Sequence, residues 1–410
     1  MSVSPPAASS SRPAHTTDQR QLAAFEERLA VLTPNPWGLY LMVALNVGVW
    51  LMHVGAGLEP FKPGAEDLLR WGGNTAFAVT REHEWWRLLT SMFMHAGLLH
   101  LSLNMLGLWD AGTQLCRWFG NRQFLLMYLG SGLTGSALSL HFAAQQSVSV
   151  GASGAVFGVL GGLLAAGLQH RSQLPRILTR RLLLSQGIFV VYALIEGLRT
   201  QGVDNAAHVG GLVAGAAFGL ILTRKIDLQT PRARRRRAVA IAALGCTVAV
   251  ALLVASAPRN AVDLKRVFAG AERLRQVNPE VDRIERALRT DLLAQREGRL
   301  SERDMGLAIE RRHLPAYRRL AVELKRVVDD LSSARAPGAP EPLQDLREHT
   351  SLMTQLLELD LQRRRPGADA ARIAQQAGEV TTQLEALARR MGKPDATDPA
   401  SAASSPASAP

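Results

Sequence analysis

Cysteine is nearly absent. Only two of the 410 residues, Cys116 and Cys246, are cysteine, and both lie inside apolar runs. A disulfide framework is therefore not expected, and apolar surroundings disfavour the reactive thiolate at either position. A cleavable leader is not expected either. Residues 1–36 open with the Pro/Ser-rich "SPPAASSSRPAHTT" and continue as the amphipathic "DQRQLAAFEERLAVL", with no apolar h-region. The first apolar run is thus expected to remain as an uncleaved anchor behind a partly disordered segment, 1–36.

Apolar runs are abundant and crowd residues 38–257. The formal net charge is +12. Arginines fall in short blocks between those runs, which speaks for membrane topology and against nucleic acid as a partner. About 20 apolar residues cross a bilayer core. Seven stretches approach that length: 38–57, 97–116, 123–143, 151–169, 182–199, 205–223 and 238–257. Arg117 and Arg122 follow the second stretch, and Arg171, Arg176, Arg180 and Arg181 follow the fourth. "RKIDLQTPRARRRR" follows the sixth, while the connections after the third and fifth carry almost no Lys or Arg. This alternation predicts a cytoplasmic N-terminus and an extracytoplasmic C-terminal region. The long first connection, 58–94, is rich in Trp, Gly and Phe and reads either as a plain outer connector or as a loop re-entering the outer leaflet.

Polar groups within spans are costly and call for explanation. His100 and Asn104 sit one helical turn apart in the second span and share a face. They could hydrogen-bond across a bundle interface or belong to a site. In "VSVGASGAVFGVLGG", 148–162, Ser153 stands among glycines. Serine and glycine are common packing residues between membrane helices. At the start of a helix, however, backbone N–H groups lack intrahelical partners and could receive a developing oxyanion. His208 opens the sixth span at a comparable depth. Glycines recur every fourth residue in both spans, at 154, 158 and 162 and at 211, 215 and 219. Such stripes allow backbones to approach closely, which would bring Ser153 and His208 together as nucleophile and base. Asp204 reads as the N-cap of the sixth span, shared with Asn205.

Taken together these residues resemble the rhomboid family of intramembrane serine proteases. "GASG" at 151–154 is similar to its GxSG motif, "HLSLN" at 100–104 to HxxxN, and "HVGGLVAG" at 208–215 to HxxGxxxG. "WWR" at 85–87 is similar to the Trp–Arg motif of its first loop. The resemblance covers about residues 38–223. It implies a Ser153–His208 dyad in which Ser153 is nucleophile and His208 general base. It also implies an oxyanion hole of His100, Asn104 and the Ser153 N–H. His95, Trp86, Arg87, Gly151, Gly154, Phe157, Gly211 and Gly215 would support the site. The reaction implied is peptide hydrolysis in or near transmembrane segments of membrane-protein substrates, with no cofactor and no metal. Two positions depart from the family: Cys116 replaces a frequent glutamate, and Phe157 stands where some members carry a tyrosine over the histidine.

The fold class implied is an all-α polytopic membrane bundle, a six-span core (37–223) plus a seventh span after a basic cytoplasmic linker (224–257). An extracytoplasmic helical bundle (258–392) and a disordered tail (393–410) would follow. The bundle is predicted from four amphipathic stretches separated by Pro/Gly breaks at "ARAPGAPEP" and "RRRPGAD". It reads as a spacer, a binding module for a protein partner or a means of self-association. Two other functional classes would leave different marks. An inactive rhomboid-like binder of client helices should lack the serine or the histidine, and both are present. A channel or transporter should carry charged groups along a path to the cytoplasm, whereas these polar residues cluster near the outer side. The arginine- and alanine-rich composition points to a bacterial cytoplasmic membrane.

Overall fold

A computed structural model describes residues 17–142, 147–172, 174–200, 202–222, 231–259, 262–334 and 341–391. The expected tail 393–410, the basic linker before residue 231, residues 335–340 of the "ARAPGAPEP" break and residues 1–16 lie outside the described residues. Among the described residues every regular element is a helix, and the single bridge between Asn74 and Ser149 is antiparallel. The chain divides into two compact units, Met1–Ala261 and Val262–Pro410.

The first unit begins with α1 (Thr17–Leu32), followed by the apolar α2 (Trp37–Gly55). The long connection then folds into three short helices, α3 (Ala65–Arg70), α4 (Ala76–Thr80) and α5 (Arg87–Thr90), with a 3-10 turn at Ser91–Phe93. Arg87 organises this loop. Its guanidinium is buried and donates to the Leu69 and Gly73 carbonyls at 2.6 and 2.9 Å and to Glu84 at 2.5 Å. It also lies 4.5 Å from the Trp86 ring centre. A planar donor fork that reaches three acceptors ties separate turns of the loop together.

The central helices are α6 (Leu98–Phe119), α7 (Asn121–Phe142), α8 (Ser153–Gln169) and α11 (Asn205–Ile221). Between the last two run α9 (Arg176–Arg181), a π-helical turn (Leu182–Gln186) and α10 (Gly187–Arg199). The final helix of this unit is α12 (Arg232–Ser256). Three segments, Trp37–Gly55, Arg176–Arg199 and Arg232–Ser256, are long and apolar enough to cross a membrane. α8 and α11 are apolar but have only 17 residues each. At 1.5 Å per residue they are about 25 Å long, short of the roughly 30 Å hydrocarbon thickness. The sequence-based span 151–169 is therefore trimmed: Gly151 has φ +124° and stands outside the helix, which starts at Ser153.

α8 is the central strut, with every residue from Gly154 to Leu163 buried. A helix apolar all round belongs inside a bundle. Its glycines face those of α11 so closely that side chains are excluded. A Cβ on Gly211 would lie 1.9 Å from the Gly154 carbonyl oxygen, one on Gly215 1.9 Å from that of Gly158, and one on Gly219 2.4 Å from that of Gly162. Backbone-to-backbone contact along three turns sets the relative height and rotation of the two helices.

Asp110, well along α6, accepts from the Gln186 amide of the π turn at 2.7 Å. Cys116 is fully buried and Cys246 half-buried, and both are free thiols.

The second unit contains α13 (Leu264–Arg296), α14 (Glu302–Ala308), a π turn (Ile309–His313), α15 (Leu314–Ser333), α16 (Glu341–Arg363) and α17 (Ala370–Arg390). The apolar residues recurring at three- and four-residue steps form its core, including Ile284, Leu288, Tyr317, Leu324 and Val327. Asp263, Ser301 and Asp369 cap their helices with side-chain bonds to backbone N–H groups, as short polar residues at helix starts do. His313 is 1% exposed, and its Nε2 lies 2.7 Å from Asp291. Arg312 pairs with the same carboxylate. Burial, joined by the Arg312 cation, pushes His313 down to about 4.

Candidate active site

α8 and α11 place Ser153 and His208 against each other. The Ser153 Oγ and His208 Nε2 are 2.8 Å apart. Ser153 is the first residue of α8, so its backbone N–H is among those left without an intrahelical acceptor. His208 is buried in the first turn of α11, and its imidazole lies face to face with Phe157, 4.3 Å between centres and 1° between planes. The His208 Nδ1 has no hydrogen-bond partner among the described residues. The ring is thus oriented by stacking and by Ser153, not by a carboxylate.

Asp204 explains why no acid completes the set. One carboxylate oxygen accepts from the Ala207 N–H at 2.9 Å, the N-cap bond of α11. The other accepts from Ser149 Oγ at 2.5 Å and from Ser139 Oγ. Asn205 does not share the cap: its amide donates to the Leu194 carbonyl at 3.0 Å, tying α11 to α10. Sequence reading did not single out Ser139 or Ser149, because a lone serine in an apolar run carries no signal until its partner is placed.

A cavity of about 670 Å³ opens beside the pair, lined among others by His100, Asn104, Gly151, Ser153, Phe157 and His208. His100 Nδ1 accepts from the Ala96 N–H at 3.3 Å. That bond places the ring hydrogen on Nε2. A Cβ on Gly151 would sit 2.9 Å from this Nε2 and 2.7 Å from Cε1, so only glycine fits between the imidazole and the residues leading to Ser153. Asn104 Nδ2 donates one hydrogen to the His100 carbonyl at 2.8 Å. Its second hydrogen remains available, as each amide nitrogen carries two.

Of the other motif residues, Gly154 lines this cavity as well, and the rest lie around it. His95 is buried, with its ring 5.3 Å from that of His100 at 68°. Trp86 and Arg87 belong to the first-loop staple. Gly154, Gly211 and Gly215 lie on the α8–α11 contact. Gly151 donates its N–H to the Ser91 carbonyl at 2.9 Å, anchoring the segment before Ser153 to the first loop. Among the described residues no cluster of side chains has the makeup of a metal site.

Residues 82–225 match the family model described as Rhomboid domain. The chain is 36% identical over 190 residues to "Rhomboid protease GluP" of Bacillus subtilis (strain 168), an alignment covering 45% of this chain and 35% of that protein. It is 38% identical over 161 residues to "RHOMBOID-like protein 4" of Arabidopsis thaliana, covering 39% and 40%. It is also 39% identical over 160 residues to "RHOMBOID-like protein 6, mitochondrial" of the same plant, covering 39% and 51%. The chain spans between about a third and a half of the length of these relatives.

Proposed function

The chain belongs to the rhomboid family, and from that premise we propose that it is an intramembrane serine endopeptidase acting through a Ser153–His208 dyad. The observation that carries this reading is the 2.8 Å contact between Ser153 Oγ and His208 Nε2 at the mouth of a cavity with unspent donors.

In this mechanism His208 Nε2 takes the Ser153 hydroxyl proton as Oγ attacks the scissile carbonyl carbon. The carbonyl oxygen becomes an oxyanion that accepts from the Ser153 N–H, the His100 Nε2–H and the free hydrogen of Asn104. His208 then delivers its proton to the departing amine, leaving an acyl group on Ser153. Water enters, gives a proton to His208 and attacks the ester carbonyl. The second intermediate collapses, the proton returns to Ser153, and the acid product leaves. Phe157 holds the ring plane throughout, and its face favours the imidazolium in the charged states.

The substrates proposed are transmembrane proteins cut in or near their spans. A helical substrate must unwind to expose a carbonyl, so segments rich in weak helix formers are favoured. The short α8 and α11 would start below the outer membrane surface, with water reaching Ser153 from that side. The proposed layout is six spans of the core, a basic linker, a seventh span in α12, and the second unit outside the cytoplasm. The arginine blocks support this orientation, and a bacterial inner membrane is the proposed setting. The second unit is proposed to bind a protein partner or to self-associate.

The test is covalent labelling of the purified chain with a fluorophosphonate, beside cleavage of a reporter with a small-residue-rich span. Both should vanish in Ser153→Ala while membrane insertion persists. Undiminished cleavage by Ser153→Ala would sink the reading. Labelling absent from the wild-type chain would favour the alternative, an inactive binder of client helices.

A further inference from the structure

The Asp204 carboxylate does more than cap α11. Its bond with Ser149 and the bond between Ser153 and His208 each join residues 55 apart in sequence. They are two rungs in the same register, four residues apart along each segment. Ser149 precedes Ser153 by four residues, and Asp204 precedes His208 by four. Below them the glycine contacts fix the bodies of α8 and α11. Those contacts cannot fix the segment ahead of α8, because it is not helical and Gly151 within it has φ +124°.

That segment needs its own anchor. Ser149 is held on one side by a backbone pair with Asn74, N–H to carbonyl at 2.9 Å in both directions. On the other side it is held by Asp204. Ser139, buried on α7, donates to the same Asp204 oxygen, so the carboxylate gathers α7, the nucleophile segment and α11 at one point. An ionised carboxylate suits this place because it is an acceptor only, and all three groups facing it are donors. The rung also lies on the wall between the cavity at Ser153 and a second one of about 480 Å³, since Ser149 and Asp204 line both.

We propose that Asp204 is a positioning residue for hydrolysis: through Ser149 it holds the segment leading to Ser153 in register with the helix that carries His208. This rests on the protease reading above. It differs from triad chemistry, since Asp204 contacts neither His208 Nδ1 nor the reacting atoms. A shift of the nucleophile by about 1 Å can cost on the order of a hundredfold in rate without changing substrate affinity. The expected signature is therefore in kcat, not KM.

The experiment uses the full chain reconstituted in phospholipid vesicles with a transmembrane reporter. It measures kcat, KM, the rate of fluorophosphonate labelling and the thermal midpoint. Ser149→Ala removes the rung and leaves the α11 cap intact. It should lower kcat and the labelling rate about tenfold, with KM within about twofold and the midpoint unchanged. Asp204→Ala should lower kcat at least as far, and the double variant Ser149→Ala/Asp204→Ala no further than Asp204→Ala alone. Wild-type kcat in Ser149→Ala, or independent losses that multiply in the double variant, would overturn the positioning role while leaving the protease reading intact. A wild-type chain that neither labels nor cleaves would overturn both.

Discussion

The rings of Phe157, one turn of α8 beneath Ser153, and His208 lie parallel with their centres 4.3 Å apart. With the His208 Nδ1 unpartnered among the described residues, stacking is the main restraint on rotation of the imidazole. Phe157→Tyr keeps the ring and should stay near wild-type activity. Phe157→Leu should lower kcat by about two- to tenfold, the rate equivalent of a 0.5–1.5 kcal/mol aromatic contact. Steady-state cleavage of a transmembrane reporter distinguishes the two.

Gly211 and Gly215 have no room for a methyl group, because backbone oxygen of α8 lies 1.9 Å from each ideal Cβ position. Backbone cannot move aside as a flexible side chain can. Gly215→Ala should lower stability by about 1–3 kcal/mol or more and reduce cleavage by displacing α11. Gly245→Ala on α12 is the control, since nothing lies within 4 Å of its Cβ position. Thermal midpoints in detergent measure the difference.

Gly151→Ala should act on chemistry more than on folding. The new Cβ would meet the His100 ring at 2.7 Å in a backbone conformation with φ +124°. Strain of about 1–3 kcal/mol would be relieved by moving either the His100 donor or the approach to Ser153. Loss of most fluorophosphonate labelling, in a chain that still gives a cooperative melt, is the expected outcome.

Arg87→Lys should not preserve the first loop. Lysine cannot reproduce a fork that reaches the Leu69 and Gly73 carbonyls and Glu84 together. Leaving those buried acceptors unpaired costs about 1–3 kcal/mol. Limited proteolysis should show faster cutting within residues 58–94 than in the wild-type chain.

The second unit should lose stability in acid. His313 is held near 4, below its ordinary value of 6.5, by burial and by Arg312. The unfolded chain therefore binds a proton at this residue between those pH values while the folded chain does not. Stability is fully present above about 6.5 and falls as the pH drops toward 4. Hydrogen exchange across residues 262–334 and 341–391 of the full chain, at pH 7 and pH 5, reads this directly. A His313→Gln variant should flatten the dependence.

The glycine stripes at 154, 158 and 162 and at 211, 215 and 219 were legible as a four-residue period, and so were the helical faces of the second unit. Local pattern determines these, because apolar and small residues recur at the helical repeat whatever their partners. Ser153 and His208 could be singled out because polar groups are rare in apolar runs, and the motifs around them narrowed their roles to a proposed dyad. Only the tertiary structure decided the rest. The 2.8 Å contact between them depends on two helices meeting at one height. The start of α8 at Ser153 depends on the backbone of Gly151. The employment of Asp204 by Ser139 and Ser149, 65 and 55 residues away, has no trace in any local window. Hydrogen bonds between distant segments are fixed by how helices pack, and a single sequence records the donors and acceptors without saying which of them meet.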